Sequence, residues 1–278
     1  YFENSIYDVI FLQETHFQPI NLSNWQKEWH SESIWSAGDT SKTAGLGILF
    51  GKNKNIEILD TQSDLKGRIL KIKIKFENEL IQLVNIYAPD RPHQRDPFFA
   101  SLKPFFEPNV QIVLAGDFNM VENPLLDRHG QTQTYTHTQG IVELVNIKEK
   151  FSLVDQWRQN NKFLKRFTWT SRKTNTNIKS RLDRFYVSKT METKNYDFIY
   201  SVWTDHSLIS TKIIFSKKQK KGDSYWKLNT SILEDTHYKE EIRNFIEIQK
   251  QKANDFRDLE TWWDITKIYI RKLTQEYC

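Results

Sequence analysis

The sequence predicts an α/β fold, and three observations predict it. Short apolar runs of strand length recur through the first two-thirds of the chain. Two stretches between them read as helices. After a lysine-rich break near residue 217 the pattern becomes wholly helical.

Taken in order, Asp8-Val9-Ile10-Phe11-Leu12 is a compact apolar run suited to a buried strand, and Gly45 to Phe50 is a second. Leu70, Ile72, Ile74 and Phe76 alternate with Lys71, Lys73 and Lys75, which predicts a strand with one buried face and a solvated lysine face. Leu80 to Tyr87 and Val110 to Ala115 read as central strands. Helices are expected over Pro97 to Phe106 and over Gln139 to Phe151, where Ile141, Leu144, Val145 and Ile147 fall near helical spacing. Phe167-Thr168-Trp169, Arg181 to Val187 and Ser207 to Phe215 are strand-like. Lys217-Lys218-Gln219-Lys220-Lys221-Gly222 reads as an exposed linker. Beyond it Tyr238, Ile242, Phe245 and Ile246 share one helix face, and Trp262, Ile265, Tyr269 and Leu273 another. The domains expected are therefore residues 1–216 and a basic linker with a helical segment over 217–278.

The 278 residues suffice for one large domain with an appendage. A formal charge of +5 is compatible with a polyanionic partner without demanding one. The single cysteine, Cys278, leaves no disulfide partner within the chain. No stretch approaches the ~20 apolar residues of a bilayer span, so no membrane association is expected. The first residues, Tyr1-Phe2-Glu3-Asn4, carry no signal-peptide pattern and no initiating Met, and the chain reads as a piece of something longer.

Five short motifs sit where predicted strands end, the place where functional groups gather. Glu14 follows the first strand in Leu12-Gln13-Glu14-Thr15; it reads as a solvated residue or as an oxygen ligand for a hard cation. Tyr87, in Asn85-Ile86-Tyr87-Ala88-Pro89, is either rim packing or a phenol donating to a phosphate oxygen. Leu114-Ala115-Gly116-Asp117-Phe118-Asn119 places an acid and an amide two residues apart after a turn that glycine permits; its plainer reading is an Asx turn. Asp183, in Arg181-Leu182-Asp183-Arg184, lies inside an apolar strand and needs a partner, Arg181 or Arg184 being the plain answer. Thr204-Asp205-His206-Ser207 is simple turn chemistry, or an imidazole that Asp183 would orient toward a phosphate.

In order, Glu14, Tyr87, Asp117 with Asn119, Asp183, and Asp205 with His206 resemble the signature of the endonuclease/exonuclease/phosphatase superfamily, over roughly residues 7 to 216. That resemblance implies two packed mixed β-sheets flanked by helices in a four-layer sandwich. It implies hydrolysis of phosphate esters with Mg²⁺ as cofactor, Mn²⁺ being the alternative. It makes Glu14 the main metal ligand, with Asp205 a further metal-site or acid/base residue. Asp117 would activate water, Asn119 and Tyr87 would contact phosphate, and His206, oriented by Asp183, would bind the scissile phosphate. The family's first strand, which carries a further metal-site group, has no counterpart here, because Tyr1 follows it. Thr204 also stands where the family usually has Ser.

The words Leu12-Gln13-Glu14-Thr15-His16, Ile86-Tyr87-Ala88-Pro89 and Phe167-Thr168-Trp169 resemble the apurinic-type endonuclease of LINE-type retrotransposons. Tyr225-Trp226-Lys227-Leu228-Asn229 with Ile232-Leu233 is similar to the segment leading such polyproteins toward reverse transcriptase. This implies a DNA nickase acting in the nucleus after cytoplasmic synthesis, with double-stranded DNA and, through the rest of the polyprotein, element RNA as partners. Arg172, Lys173, Lys179, Arg181 and Thr168 are the expected DNA contacts, on a basic loop over residues 171–179 that would probe the minor groove; Arg68, Arg91, Arg95, Arg128, Lys165 and Arg166 are further cations. The rival functions are an apurinic repair endonuclease, and a truncated remnant that binds nucleic acid without cutting it.

Overall fold

The computed structural model describes residues 7–52, 55–130, 137–172, 177–201, 204–214, 230–253 and 258–277. The chain forms two compact units, Tyr1–Lys217 and Lys218–Cys278. In chain order the first unit comprises β1 (Val9–Leu12), α1 (Leu22–Trp29), β2 (Ser33–Ser36), β3 (Leu46–Phe50), β4 (Ile56–Ser63), β5 (Ile69–Phe76), β6 (Glu79–Tyr87), α2 (Arg95–Ser101), β7 (Gln111–Asp117), α3 (Pro124–Asp127) and β8 (Arg128–His129). There follow α4 (Ile141–Lys150), β9 (Leu153–Val154), α5 (Gln156–Asn160), β10 (Trp169–Thr170), β11 (Lys179–Ser180), β12 (Asp183–Ser188), β13 (Glu192–Ile199) and β14 (Leu208–Ile214).

One mixed sheet runs β4-β5-β6-β7-β12-β9, with β6 and β7 parallel and its other pairs antiparallel. Its central strands β6 and β7 are buried on both faces, as an inner layer requires. Along β6, Val84 and Ile86 face a core shared with Phe99 and Leu102 near α2 and Leu144 and Ile147 of α4; Ile81 and Leu83 face the other way, onto Leu46, Ile48 and Phe50 of β3. The sheet β1-β3-β2 turns its outer side to α1, where Ile10, Leu49 and Trp29 pack together. The layers are therefore helix, sheet, sheet, helix, the expected four-layer sandwich. Asn85 is a polar tie within the apolar seam. Fully buried on β6, it donates to the carbonyls of Leu12 and Gly47, each at 2.9 Å, and accepts from Gln13 at 2.7 Å.

Between the layers lies a cleft of about 1950 Å³, lined on one side by residues 7–14 and on the other by residues 208–213. Strand β1 pairs only with β3, and β14 only with β13, among the described residues, so each offers the cleft a strand edge.

The alternating lysines correct the expectation of a solvated face in part: Lys75 is exposed, but Lys71 and Lys73 are covered. Lys71 is 3% exposed; its ammonium sits 3.0 Å from Asp60 and 2.6 Å from Glu107, and Lys73 also reaches Glu107 at 2.6 Å. The segment following α2 lays Glu107 across the lysines, and the two cations hold its carboxyl down at about 2. Period-2 alternation reports which residues share a face, not what covers that face.

The helical pattern beyond the linker gives α6 (Thr236–Gln251) and α7 (Leu259–Tyr277). Asp235 caps α6 by accepting from His237 N, and Tyr238 Oη meets Thr274 Oγ1 at 2.7 Å between the helices. No described helix is long and apolar enough to cross a membrane.

Candidate active site

Strand register assembles the site. Tyr87 ends β6 opposite Asp117, which ends β7, and Asp117 faces Asp183 at the start of β12. Three adjacent strands thus place three functional side chains side by side, on the face that looks toward the smaller sheet. Gly116 makes the close approach possible: it has φ +135°, and a Cβ there would lie 2.0 Å from the Ile86 carbonyl oxygen. After Asp117 the chain turns through Asn119, φ 48°, whose N–H donates to Asp117 Oδ1 at 2.8 Å while its amide donates to the Ala88 carbonyl at 2.8 Å.

His206 arrives from the turn before β14. Its Nδ1 lies 2.9 Å from Asp183 Oδ2, and its Nε2 3.9 Å from Asp117 Oδ2. The partner of Asp183 is therefore histidine, and neither neighbouring arginine. One ligand atom each from Asp117, Asp183 and His206 lies within 4.8 Å of the others. Asp117 is 4% exposed, and burial together with the facing Asp183 carboxylate raises its pKa well above the usual carboxylate range. Burial alone would lower the His206 pKa, but the Asp183 carboxylate overrides it and brings the imidazole up to about 9.

The remaining predicted residues fall around this trio. Glu14, at φ 51° just beyond β1, lines the same cleft and shares a hydrogen bond with the Tyr87 hydroxyl; burial and then that carboxylate raise the phenol pKa. The Arg68 guanidinium sits 4.9 Å over the Tyr87 ring. Glu14 and Asp205 line the cleft but lie outside the three-residue cluster. Asp205 Oδ2 accepts from the Trp169 indole at 2.9 Å, and its Oδ1 lies 3.8 Å from Arg172 Nη2.

Two of the expected DNA contacts are interior groups. Arg181 is 1% exposed, with Nε 2.8 Å from Asp127 Oδ1 and Nη1 2.6 Å from Asp155 Oδ2. Thr168 is equally buried; its hydroxyl accepts from the N–H groups of Leu182 and Asp183. Both side chains brace the start of β12 and are not presented to a ligand. Arg95 is likewise buried, its guanidinium donating to the carbonyls of Pro89 and Asp90. Arg172 is exposed and lines the cleft, Lys179 is half-buried in β11, and Lys173 lies outside the described residues. The residues that sequence reasoning passed over are Trp169, Asn85 and the acids of the Arg181 network. Asn85 and Trp169 stood inside motifs read for their neighbours, while Asp127 and Asp155 lay outside every motif.

The donor set suits a divalent cation. Two buried carboxylates face each other, and a bound cation would relieve their mutual repulsion. A four-layer α/β sandwich with such a cluster at its strand ends defines a metal-dependent hydrolytic site. The sequence profile of the endonuclease/exonuclease/phosphatase family matches residues 2–206, and the chain belongs to that family.

The chain is 29% identical over 276 residues to the transposon TX1 149 kDa protein of Xenopus laevis, covering 98% of this chain and 21% of that protein. Among solved structures it resembles the AP endonuclease LMAP of Leishmania major, with TM-score 0.63 and 17% identity over 75% of this chain and 78% of the other. It also resembles the APE2 catalytic domain of Xenopus laevis, with TM-score 0.57 and 18% identity over 77% and 86%. The chain thus spans about a fifth of the transposon protein it matches, and it shares the fold of these solved endonuclease structures. Asp117, Asp183 and His206 form the candidate metal-dependent hydrolytic site of that family.

Proposed function

We propose that this chain nicks double-stranded DNA by hydrolysing one phosphodiester, using Mg²⁺, and leaves a 3′-hydroxyl from which a reverse transcriptase of the same polyprotein copies element RNA. The observation that carries the reading is the Asp117–Asp183–His206 cluster in a chain similar to a transposon protein. In this reading Asp117 takes a proton from the attacking water, its basicity raised by its surroundings. His206, kept protonated by Asp183, donates to a non-bridging phosphate oxygen. Glu14 and Asp205 line the cleft beside the Asp117–Asp183 pair, and a divalent cation held there would neutralise charge on the phosphate and on the departing 3′-oxygen, which takes its proton from solvent as the P–O3′ bond breaks. Arg172 and Lys179 hold the DNA backbone, and residues 217–278 lead toward the polymerase. The reaction takes place in the nucleus, after cytoplasmic synthesis.

The test is conversion of supercoiled plasmid to open circle, with Mg²⁺ or EDTA, by the wild type, Asp117→Ala and His206→Ala. Nicking that needs the metal, is lost in both variants and leaves ends that a polymerase extends without phosphatase treatment supports the proposal. No nicking by the wild type in Mg²⁺ or Mn²⁺ sinks it. Strong preference for a plasmid containing abasic sites moves the assignment to repair.

A further inference from the structure

We propose that Trp169 is a positioning residue of this site, whose indole N–H fixes the Asp205 carboxylate and with it the turn that carries His206. The inference rests on the nuclease reading of the cleft and adds a residue to it.

Residues 168–170 form a splint between two parts of the site. Their main chain runs antiparallel to the turn: Thr170 N donates to the Asp205 carbonyl at 3.1 Å, Ser207 N donates to the Thr168 carbonyl at 2.6 Å, and Trp169 pairs with His206. Toward β12, the Thr168 hydroxyl accepts from the N–H groups of both Leu182 and Asp183. One short segment therefore sets the main chain on both sides of the Asp183–His206 hydrogen bond.

Trp169 adds direction to that splint. An indole has a single donor and no acceptor, so its ring plane fixes where a partner oxygen must lie. Here the donor meets Asp205 Oδ2 at 2.9 Å, while Oδ1 lies 3.8 Å from Arg172. Asp205 is thereby held next to His206 in sequence but outside the clustered ligand atoms of Asp117, Asp183 and His206. Without the N–H, the Asp205 side chain would be held by its 3.8 Å contact with Arg172, and the turn carrying His206 would lose its short side-chain anchor. A phenylalanine could keep the ring packing, but only indole can hold the oxygen.

The test compares Trp169→Phe with the wild type in plasmid nicking. Loosening the turn that carries His206 predicts a kcat about tenfold lower, equivalent to about 1.4 kcal/mol at the transition state. The KM for DNA should stay unchanged, and the thermal midpoint should fall by only the ~2–4 °C that one lost hydrogen bond accounts for, less than a loss of ring packing would give. In a ¹H–¹⁵N spectrum the chain's nine Trp residues give nine indole signals, and the one missing from Trp169→Phe identifies Trp169. Asp205→Ala should shift that signal more than any other. A wild-type kcat in Trp169→Phe, or an indole signal unmoved by Asp205→Ala, overturns the proposal. If the wild type fails to nick, it is the nuclease reading that falls, and the indole signal alone then decides whether Trp169 holds Asp205.

Discussion

Two buried groups of charges lie within a few residues of each other on β12, and they are built on opposite principles. Around Arg181, opposite charges alternate: Asp127 and Asp155 meet its guanidinium, and Arg158 Nη2 closes on Asp127 at 2.5 Å. The cations pull the Asp127 carboxyl down to about 2, against burial that would raise it. Two residues further on, Asp183 faces Asp117, and both burial and that facing carboxylate raise the Asp117 pKa. The first group is complete within the chain. In the second the partner cation among the described residues is His206, and a divalent ion would supply the further positive charge. The difference separates charge that holds a fold together from charge that prepares a site.

Substitution should break the two groups in different ways. The largest stability effect is expected for Arg181→Met, which strands Asp127 and Asp155 without their shared cation. Removing one member of a buried pair costs about 3–5 kcal/mol, read as a lower midpoint in urea. Next comes the divalent cation itself. Mg²⁺ at a hundred times its dissociation constant should stabilise the wild type by about 2.7 kcal/mol. It should do nothing measurable for an Asp117→Asn, Asp183→Asn double variant, a comparison that thermal melts in Mg²⁺ and in EDTA would check.

Acid should reach the first group last. The Asp127 pKa is lower in the folded chain than its ordinary 3.8, at about 2. Its stabilisation is therefore complete above the unfolded value and drains away as pH falls through the folded one. The shift corresponds to on the order of 2 kcal/mol. Urea midpoints between pH 5 and pH 2 should show this loss in the wild type and a smaller one in Asp127→Asn. An equal slope in both would mean that Asp127 does not carry the effect.

The sequence exposed the second group more readily than the first, for a physical reason. Asp117, Asp183 and His206 each stand where an apolar run stops or starts, so their placement was visible in the pattern, and the resemblance then gave them roles. The Arg181 network joins residues from α3, the N-cap of α5 and the approach to β12; nothing in a one-dimensional pattern pairs Asp127 with a cation 54 positions on. Reading Arg181 as a DNA contact followed from its charge alone. The buried lysines of β5 teach the same lesson, since Glu107, which neutralises them, comes from beyond α2. Strands were legible where they were apolar on both faces, as with β6 and β7. Strands β4 and β13, with mostly exposed or half-buried residues, lacked that signature.

The smallest expected effect is the most discriminating. In metal-free buffer at neutral pH, Asp117→Asn removes one of two facing carboxylates and keeps a side chain of the same shape. If the second group is prepared for a cation, the variant should be more stable than the wild type by about 1 kcal/mol, since a like-charge contact in a buried place is relieved. The same variant should lose nicking by a factor of at least about 100, the scale on which a positioned base acts. A gain in stability with a loss of activity distinguishes a site from a structural pair. Were Asp117→Asn to unfold as readily as Arg181→Met, the two groups would share one principle, and Asp117 would belong to the scaffold.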